Sequence, residues 1–264
     1  MIKIILPILI VILLASLLAP LISPFNPEEI NLDELRQSPS MRHPLGTDNK
    51  GRDILSRVLY GGRISISVAI LASVLSMGIG LIVGLLAGYI GGRIDTSIML
   101  AVDLILSFPS LLLAIGISVI FPPGIYTIMI AIASVGWASV ARIIRGYVVS
   151  SKEATFIEAA KAMGCSRKRI LALHLLPQCL PLVAVLMGMR LGGYILTEAS
   201  LSFLGLGAQP PMPSWGSMVS AYRIFIVSAP WMVVFPGLAI AVTSLCFNML
   251  GDILRDRYGL KITG

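Results

Sequence analysis

The chain has 264 residues, of which 56% are hydrophobic and only 12% are charged, and its mean hydropathy is +0.92. A soluble domain of this length carries about 25% charged residues, so the composition excludes an ordinary soluble protein and indicates a polytopic membrane protein. The net charge of +7 does not indicate a nucleic-acid partner, because much of the excess positive charge lies in one short segment between apolar runs.

Six apolar runs predict six membrane-spanning helices, since a hydrocarbon core requires about 20 residues per helix. Lipid offers the backbone no hydrogen-bond partners, and the alternation of a barrel strand is absent, so the predicted fold class is all-α. A turn at Phe121-Pro122-Pro123-Gly124 separates the third run from the fourth. The predicted spans cover residues 3–23, 65–90, 99–120, 125–148, 182–204 and 231–251.

The first run, in residues 1–23, has two interpretations. Lys3 ahead of an apolar stretch is also typical of a signal peptide. The run is long for that purpose, however, and residues 16–20 form a poor cleavage site. We therefore expect an uncleaved first helix.

Two longer segments between spans are predicted to be ordered. Residues 24–63 mix turn residues with six acidic and six basic side chains, a pattern that suits paired charges. Residues 205–230 are rich in proline and contain one charged residue, Arg223. Trp215 and Trp231 suit the belt of aromatic side chains at a membrane surface.

The distribution of charge predicts the orientation. Between Arg142 and Arg169 the chain carries seven Lys or Arg residues and two Glu residues, which places this segment in the cytoplasm by the positive-inside rule. With six spans, both termini are then cytoplasmic, including a tail at 252–264. Segments 24–63 and 205–230 lie outside, and residues 64–251 form a five-helix core.

The cytoplasmic segment 150–177 is predicted to be a helical hairpin. Ser150-Ser151-Lys152-Glu153 fits a capping box for a short helix, and Gly164 suits its end. Ser166 can cap a second short helix, which Pro177 separates from the next span. The first helix is predicted to place four side chains on one apolar face: Phe156, Ala159, Ala160 and Met163. The alternative is an ordinary amphipathic loop on anionic lipid.

Ionisable residues within a span are candidates for function, because each costs about 2.5–3.5 kcal/mol at the centre of a helix. Arg190 and Glu198 lie eight residues apart, close to one face of the fifth helix. They are predicted either to line a pathway or to pair with a partner subunit, unless Glu198 meets water at the outer end. Asp103 is predicted to pair with Arg93 or Arg142, and Asp252 lies beside Arg255.

The sequence predicts no catalytic residue, cofactor or metal on this chain. It contains no His/Cys cluster with the spacing of a metal site. The three cysteines, Cys165, Cys179 and Cys246, suit no metal motif and are expected to act as small apolar residues. No Gly-x-x-x-x-Gly-Lys loop is present, so any use of ATP requires a partner that hydrolyses it.

Several motifs carry a family resemblance. Glu158-Ala159-Ala160, Gly164, Ile170, His174, Leu176 and Pro177 resemble the "EAA" loop of membrane subunits of ATP-driven importers, although Gln178 replaces a frequent Asn. The outer motifs His43 to Asp53 and Glu198 to Gly207 are similar to the second permease of dipeptide, oligopeptide and nickel importers. So are Asp103 with Phe108-Pro109, and Asn248-x-x-Gly251-Asp252. The resemblance covers about residues 24–258.

The resemblance implies an ABC importer permease of the type I fold. Its implied partners are a second homologous permease, two ATP-binding subunits that hold ATP and Mg, an extracytoplasmic solute-binding protein, and membrane lipid. The residues implied to couple to the ATPase are Glu158, Ala159, Ala160, Gly164, Arg167, His174 and Pro177. Contacts with the binding protein or an outer gate are expected at Asp48, Arg52, Asp53, Pro211 and Trp215.

Other functions and cargoes remain open from the sequence. A self-sufficient secondary transporter or channel is the main alternative, although neither an inverted repeat nor an ion relay is visible. A membrane anchor with no transport activity is a third. For the importer, the cargo is nickel or a metal chelate, or else di- or oligopeptides, and the short segment before the first helix favours the nickel type.

Overall fold

The structure, a computed structural model, describes residues 2–257, which are helical apart from turns, loops and one isolated bridge between Thr47 and Asp53. The predicted tail at 252–264 is described as far as residue 257, and residues 258–264 lie outside this range. The helices are α1 (Ile2–Leu17), α2 (Ala19–Ile22), α3 (Ile54–Ile90), α4 (Gly92–Leu106), α5 (Ser110–Ile120), α6 (Ile125–Ser151), α7 (Thr155–Ala162), α8 (Arg167–Arg169), α9 (Leu176–Phe203), α10 (Trp215–Tyr222) and α11 (Trp231–Arg257). A π-helical turn, Ile170–Leu175, joins α8 to α9.

The all-α prediction is confirmed, whereas the count of six spans is not. Within the described residues, four helices are long and apolar enough to cross a membrane: Ile54–Ile90, Ile125–Ser151, Arg167–Phe203 and Trp231–Arg257. A fifth span is possible only if α4 and α5 are taken together. The predicted turn at Phe121-Pro122-Pro123-Gly124 is confirmed between α5 and α6.

The predicted span 99–120 is broken in the structure. α4 and α5 meet at an angle of 91°. Ser107 ends α4 with its amide on the Asp103 carbonyl at 2.9 Å, and Pro109 stands immediately before α5. Proline disfavours helical backbone at the residue before it and has no N–H to donate, so the helix cannot continue through Phe108. The apolar run therefore turns sharply instead of crossing as one rod.

The predicted span 3–23 is also shorter than expected. α1 ends at Leu17 after 16 residues, and a separate turn of helix, α2, follows from Ala19. Pro20 lies in the first turn of α2, where a backbone N–H has no partner within the helix, so its absence costs nothing. In the interior of one continuous helix, Pro20 would leave out a backbone hydrogen bond. The apolar length of this run thus overstates the length of its helix.

The bundle is organised around the close contact of α3 with α6. Three glycines, at four-residue intervals on α3, face α6: Gly80, Gly84 and Gly88. A Cβ atom on Gly84 would lie 2.6 Å from the carbonyl oxygen of Ala141, and one on Gly88 would lie 2.9 Å from that of Arg145. Such a row of small residues lets two helical backbones approach where apolar lipid supplies no hydrophobic drive.

The long helices connect the two faces of the molecule. The outer segment 23–53 folds over the start of α3, and Asp53 caps that helix by accepting from the Ser56 amide at 2.7 Å. α6 ends at the hairpin formed by α7 and α8, which packs against α3, α6 and α9. α9 also lies against α11, where the Ser244 hydroxyl donates to the Gly192 carbonyl at 2.8 Å.

We expect Gly84→Ala to destabilise the bundle by about 1–3 kcal/mol, because the added methyl group meets backbone of α6 that cannot move aside cheaply. Gly78→Ala, on the same helix, is the matched control, since a Cβ there meets nothing within 4 Å. Thermal unfolding of the detergent-purified variants compares them. Equal unfolding temperatures for the two variants would contradict the assigned close contact.

Candidate functional site

The hairpin of α7 and α8, which is predicted to be cytoplasmic, is built on a glycine turn. Gly164 has a φ of +77° and follows α7. Its amide donates to the Lys161 carbonyl at 2.9 Å, and the Cys165 amide donates to the Ala160 carbonyl at 3.0 Å. These two bonds form a Schellman motif, which ends a helix and reverses the chain. The prediction that Gly164 ends the first helix in a left-handed conformation is confirmed.

The second arm of the hairpin differs from the prediction. Ser166 caps it by accepting from the Arg169 amide at 3.4 Å, as expected. Pro177 does not separate this arm from the span, however: the helix runs from Arg167 to Phe203. A π-helical turn precedes Pro177. Pro177 lacks an N–H, and in a regular α-helix its ring would clash with the carbonyl one turn earlier. The wider π-helical turn accommodates this residue.

The first arm begins later than predicted. The capping box at Ser150 to Glu153 is wrong, because α6 continues to Ser151 and the Lys152 amide still donates to the Val148 carbonyl at 2.9 Å. α7 starts at Thr155 after an extended Ala154, with no side-chain cap. The helical preference of the long apolar span outweighs a local capping signal within its last turn.

One side of the hairpin is fixed to the bundle. Ile157 and Ala160 of α7, with Ile170 and Leu175 of the second arm, are fully or almost fully buried. They pack in one cluster with residues of α3, α6 and α9, including Val148. The hairpin is thus attached to the membrane helices through a continuous apolar contact.

The other side faces outward. The predicted apolar face of α7 is wrong in part, since Ala160 is buried while Phe156, Ala159 and Met163 are exposed. Among the residues predicted to couple to an ATPase, Glu158, Gly164, Arg167 and Pro177 are exposed and His174 is half-buried. The structure therefore brings these residues onto one hairpin, with apolar and charged side chains together at its surface.

The outer segment is held by a buried group of charges around Asp48. Tyr222 of α10 donates its hydroxyl to Asp48 Oδ2 at 2.7 Å, and Arg52 Nε donates to the same oxygen at 2.6 Å. The Lys50 amide donates to Asp48 Oδ1 at 2.7 Å. Asp48 is completely buried, so these donors replace the water that its charge would otherwise require. The contact ties residues 24–63 to residues 205–230.

A second buried group lies at the start of α3. His43 Nδ1 lies 2.9 Å from Asp53 Oδ1, and its Nε2 lies 3.3 Å from Glu34 Oε2. The ring stacks on Phe25 with their centroids 4.6 Å apart. Arg42 pairs with the same Glu34. These contacts confirm that the first outer segment is ordered through paired charges.

The five residues predicted to contact a binding protein differ in exposure. Asp48, Arg52, Asp53 and Trp215 are buried, whereas Pro211 is exposed. Trp215 donates its indole N–H to the Val58 carbonyl at 2.8 Å, which joins α10 to α3. The four buried residues support the surface through contacts within the protein. Of these five residues, only Pro211 is exposed for direct contact with a partner. A partner contact stays a prediction.

The two charged residues of α9 are separated in the structure. Glu198 is 1% exposed and accepts from the Ser202 hydroxyl at 2.7 Å. The alternative in which Glu198 meets water at the outer end is therefore not what the structure shows. Arg190 lines a cavity between α5, α6 and α9, and Glu198 is not among the residues that line it. A pathway role for either residue stays a prediction.

Other charged residues near the membrane form ion pairs, some between two helices and one within a single helix. Arg142 pairs with Asp103, as one of the two predicted alternatives, and Arg255 lies 3.3 Å from Asp252. Sequence reasoning missed the bidentate pair of Arg145 with Asp95, whose bonds measure 3.0 and 2.6 Å. These two residues lie 50 positions apart, so no local spacing could have revealed their contact.

The Tyr222–Asp48 contact predicts a pH-dependent stability. Burial raises the pKa of the Tyr222 hydroxyl above its ordinary value of 10.0, so the folded protein favours the neutral phenol that donates to Asp48. That stabilisation is fully present below pH ~10 and is lost as the pH rises above it. Tyr222→Phe should cost about 1.5–3 kcal/mol near neutral pH, and the difference from wild type should shrink in alkali.

Thermal unfolding of wild type and Tyr222→Phe at about pH 8 and about pH 11 measures this difference. Tyr126→Phe is the control, because the Tyr126 side chain is 76% exposed. A gap between Tyr222→Phe and wild type that widens with pH would contradict the assigned donor.

The chain was compared with known protein families and structures. Residues 80–261 match the family described as binding-protein-dependent transport system inner membrane component. The glutathione transport system permease protein GsiD of Shigella flexneri is 46% identical over 242 residues, which cover 91% of this chain and 80% of that protein. The protein of the same name from Pectobacterium atrosepticum is 43% identical over 240 residues, 90% of this chain and 80% of the relative.

A solved structure has the same fold. The MetNI methionine ABC transporter in inward-facing conformations aligns with a TM-score of 0.61 at 18% identity, covering 76% of this chain and 95% of that chain. This likeness confirms the predicted fold of an ABC importer permease. The chain belongs to the family of binding-protein-dependent transport system inner membrane components and is a non-catalytic permease subunit of an ABC importer.

Proposed function

We propose that the hairpin of α7 and α8 couples this permease to an ATPase subunit, so that ATP-driven movement of the partner moves the membrane helices. The observation that carries the proposal is the two-sided character of the hairpin. Its inner side is buried against three long helices, and its outer side presents apolar and charged groups. A segment of this kind can receive a force at one side and pass it to the bundle through the other.

The inner side supports movement as a rigid body. Ile157 of α7 and Ile170 of the second arm are 0% and 1% exposed, and both pack in the cluster that contains Val148 of α6. Packed interiors have low compressibility and transmit displacement. The second arm is also continuous with α9, so a tilt of the hairpin is expected to move the helix that carries Arg190.

The outer side supports a protein partner over lipid alone. Phe156 is 41% exposed and Met163 is 76% exposed, beside the exposed carboxylate of Glu158. Arg167, Lys168 and Arg169 follow on the second arm, so the surface combines apolar anchors with charges of both signs. An anionic membrane surface favours cations but would repel Glu158, whereas a protein surface can match each of these groups.

The family description supports part of the assembly that we propose. This description names a binding protein and the inner membrane, which supports an extracytoplasmic solute-binding partner at the face formed by residues 24–63 and 205–230. We propose two ATP-binding subunits, which hold ATP and Mg, and a second homologous permease beside this one. The concentration of Lys and Arg between residues 142 and 169 supports a cytoplasmic hairpin and cytoplasmic termini. The alternative of a self-sufficient transporter or channel finds no support in this family.

For the cargo, we propose a small peptide of the glutathione type. The relatives at 43–46% identity are permeases of glutathione transport systems, and glutathione is itself a tripeptide. The expectation of nickel depended on the short segment before the first helix, and none of these relatives' names supports it.

The docking surface is tested by a charge placed on its most exposed apolar residue. Met163→Asp should lower the amount of ATPase that co-purifies with the tagged chain by about 10-fold, because truncating or charging an interface anchor removes most of its binding energy. Val227→Asp is the matched control, since Val227 is 93% exposed but lies between α10 and α11, away from the hairpin. Mass spectrometry of the purified complex quantifies each partner. Unchanged ATPase recovery with Met163→Asp would remove the hairpin from the interface.

The coupling is tested at the glycine turn. Gly164→Val forces a branched side chain into left-handed backbone, at a cost of about 1–2 kcal/mol, although a Cβ at this position meets nothing within 4 Å. Membrane insertion should therefore be retained. Uptake should fall by about 5- to 150-fold while ATP hydrolysis continues, since the angle between the arms changes.

Gly164→Asn is the control for side-chain size, because Asn tolerates left-handed backbone. Gly146→Val is the control for a branched residue in open space, since a Cβ on this exposed glycine of α6 also meets nothing within 4 Å. Uptake and ATP hydrolysis are measured together in proteoliposomes that contain the partner subunits. Normal uptake by Gly164→Val would refute the coupling role.

A further inference from the structure

A cavity of about 790 Å³ lies near the outer segment, but a smaller one of about 420 Å³ between α5, α6 and α9 has the more informative chemistry. Its volume falls in the range of about 300–1,000 Å³ that is typical of small-molecule sites. Apolar residues such as Val135 and Met189 form much of the wall, and the polar groups come from α5, α6 and α9. The cavity thus has the size and composition of a ligand site.

Arg190 is the only charged side chain among the residues that line this cavity. Within residues 2–257 it has neither an ion-pair partner nor a side-chain hydrogen bond, whereas Arg142 and Arg145 on α6 are both paired with Asp residues of α4. Glu198 lies eight residues further on, about 12 Å along the helix axis, and accepts from Ser202 instead. Arg190 is therefore a partly buried cation without an anionic partner at a cavity whose wall is largely apolar.

Four hydroxyl groups also line the cavity, and two of them, those of Ser139 and Thr197, are placed to accept hydrogen bonds. The Ser139 hydroxyl donates its hydrogen to the Gly136 carbonyl at 3.0 Å, and the Thr197 hydroxyl donates to the Gly193 carbonyl at 2.9 Å. Each hydroxyl has a single hydrogen, so what these two oxygens retain is the capacity to accept. They suit an ammonium group or an amide N–H, while the guanidinium suits a carboxylate.

We propose that this cavity is a low-affinity binding site within the permease for small peptides with a free carboxylate, in which Arg190 binds the carboxylate and Ser139 and Thr197 accept from the N–H groups. The proposal rests on the proposed function, since it names how the same cargo is recognised after it leaves the binding protein. An isolated cation in this position is expensive, and an anionic cargo in transit compensates it.

The site is tested by direct binding, without the binding protein. Saturation-transfer NMR follows glutathione titrated onto the purified permease–ATPase complex in nanodiscs. The Arg190→Gln complex should bind glutathione about 10-fold more weakly or worse, and Arg190→Lys should be intermediate, because Lys retains the charge but loses the planar fork. Arg93→Gln, at an exposed position of α4, is the matched control and should bind as wild type does.

A competition experiment keeps the test independent of how well the variants fold. In this experiment labelled glutathione is bound to the wild-type complex and a competitor displaces it. Glutathione with both carboxyl groups amidated should be about 10-fold weaker as a competitor than unlabelled glutathione. Equal displacement by the diamide would overturn the assignment of Arg190 to a carboxylate. Equal displacement by inorganic phosphate would overturn the peptide class in favour of a general anion site.

The failure of this inference is distinguishable from failure of the proposed function. Uptake of glutathione by the complete complex in proteoliposomes, with its binding protein present, is measured in parallel. Uptake without detectable binding to the permease–ATPase complex would overturn the cavity site and leave the proposed cargo intact. Absence of uptake, with ATP hydrolysis retained, would overturn the proposed cargo together with the site that rests on it.

Discussion

The close contact of α3 with α6 is the constraint on which the rest of this structure depends. Gly80, Gly84 and Gly88 leave no room for a Cβ atom, so the two helices meet backbone to backbone along three turns. Dispersion and backbone contact hold helices together in lipid, because apolar burial gains little there. α3 starts in the outer segment and α6 ends at the hairpin, so this single contact sets the positions of both faces.

Different interactions stabilise the two faces, which are the face formed by residues 24–63 and 205–230 and the face formed by the hairpin. The outer face is held by buried charges that satisfy one another, with Asp48 bound by Arg52 and by the hydroxyl of Tyr222. The hairpin of α7 and α8 is held mainly by apolar packing, through residues such as Ile157 and Ile170. A charge network fixes a unique geometry because each lost bond leaves a buried charge unsatisfied. Apolar packing instead permits a segment to move with the helices that it covers, which suits a coupling element.

The elements that the sequence predicted correctly are those set by local chemistry. Gly164 ends α7, Ser166 caps the next arm, and the prolines after Phe121 separate two helices, because each effect acts within one turn of the chain. The predictions that were wrong also depended on local patterns, but contacts with distant parts of the chain decided the outcome. The capping box at Ser150 was overridden by continuation of α6, and the apolar face of α7 divided between bundle and solvent according to how the hairpin docks. Pro177 does not interrupt the helix, because a π-helical turn precedes it.

The sequence by itself determined that the chain is an all-helical membrane protein of the importer permease type, and it predicted a helical hairpin with the EAA pattern, because composition, apolar length and that pattern are properties of contiguous residues. Only the tertiary structure decided that α4 and α5 bend at 91°, that Asp48 and Trp215 are buried, and that Arg190 and Glu198 have different surroundings. Those outcomes depend on pairs such as Asp48 and Tyr222, 174 positions apart, whose meeting is decided by helix packing and not by spacing along the chain.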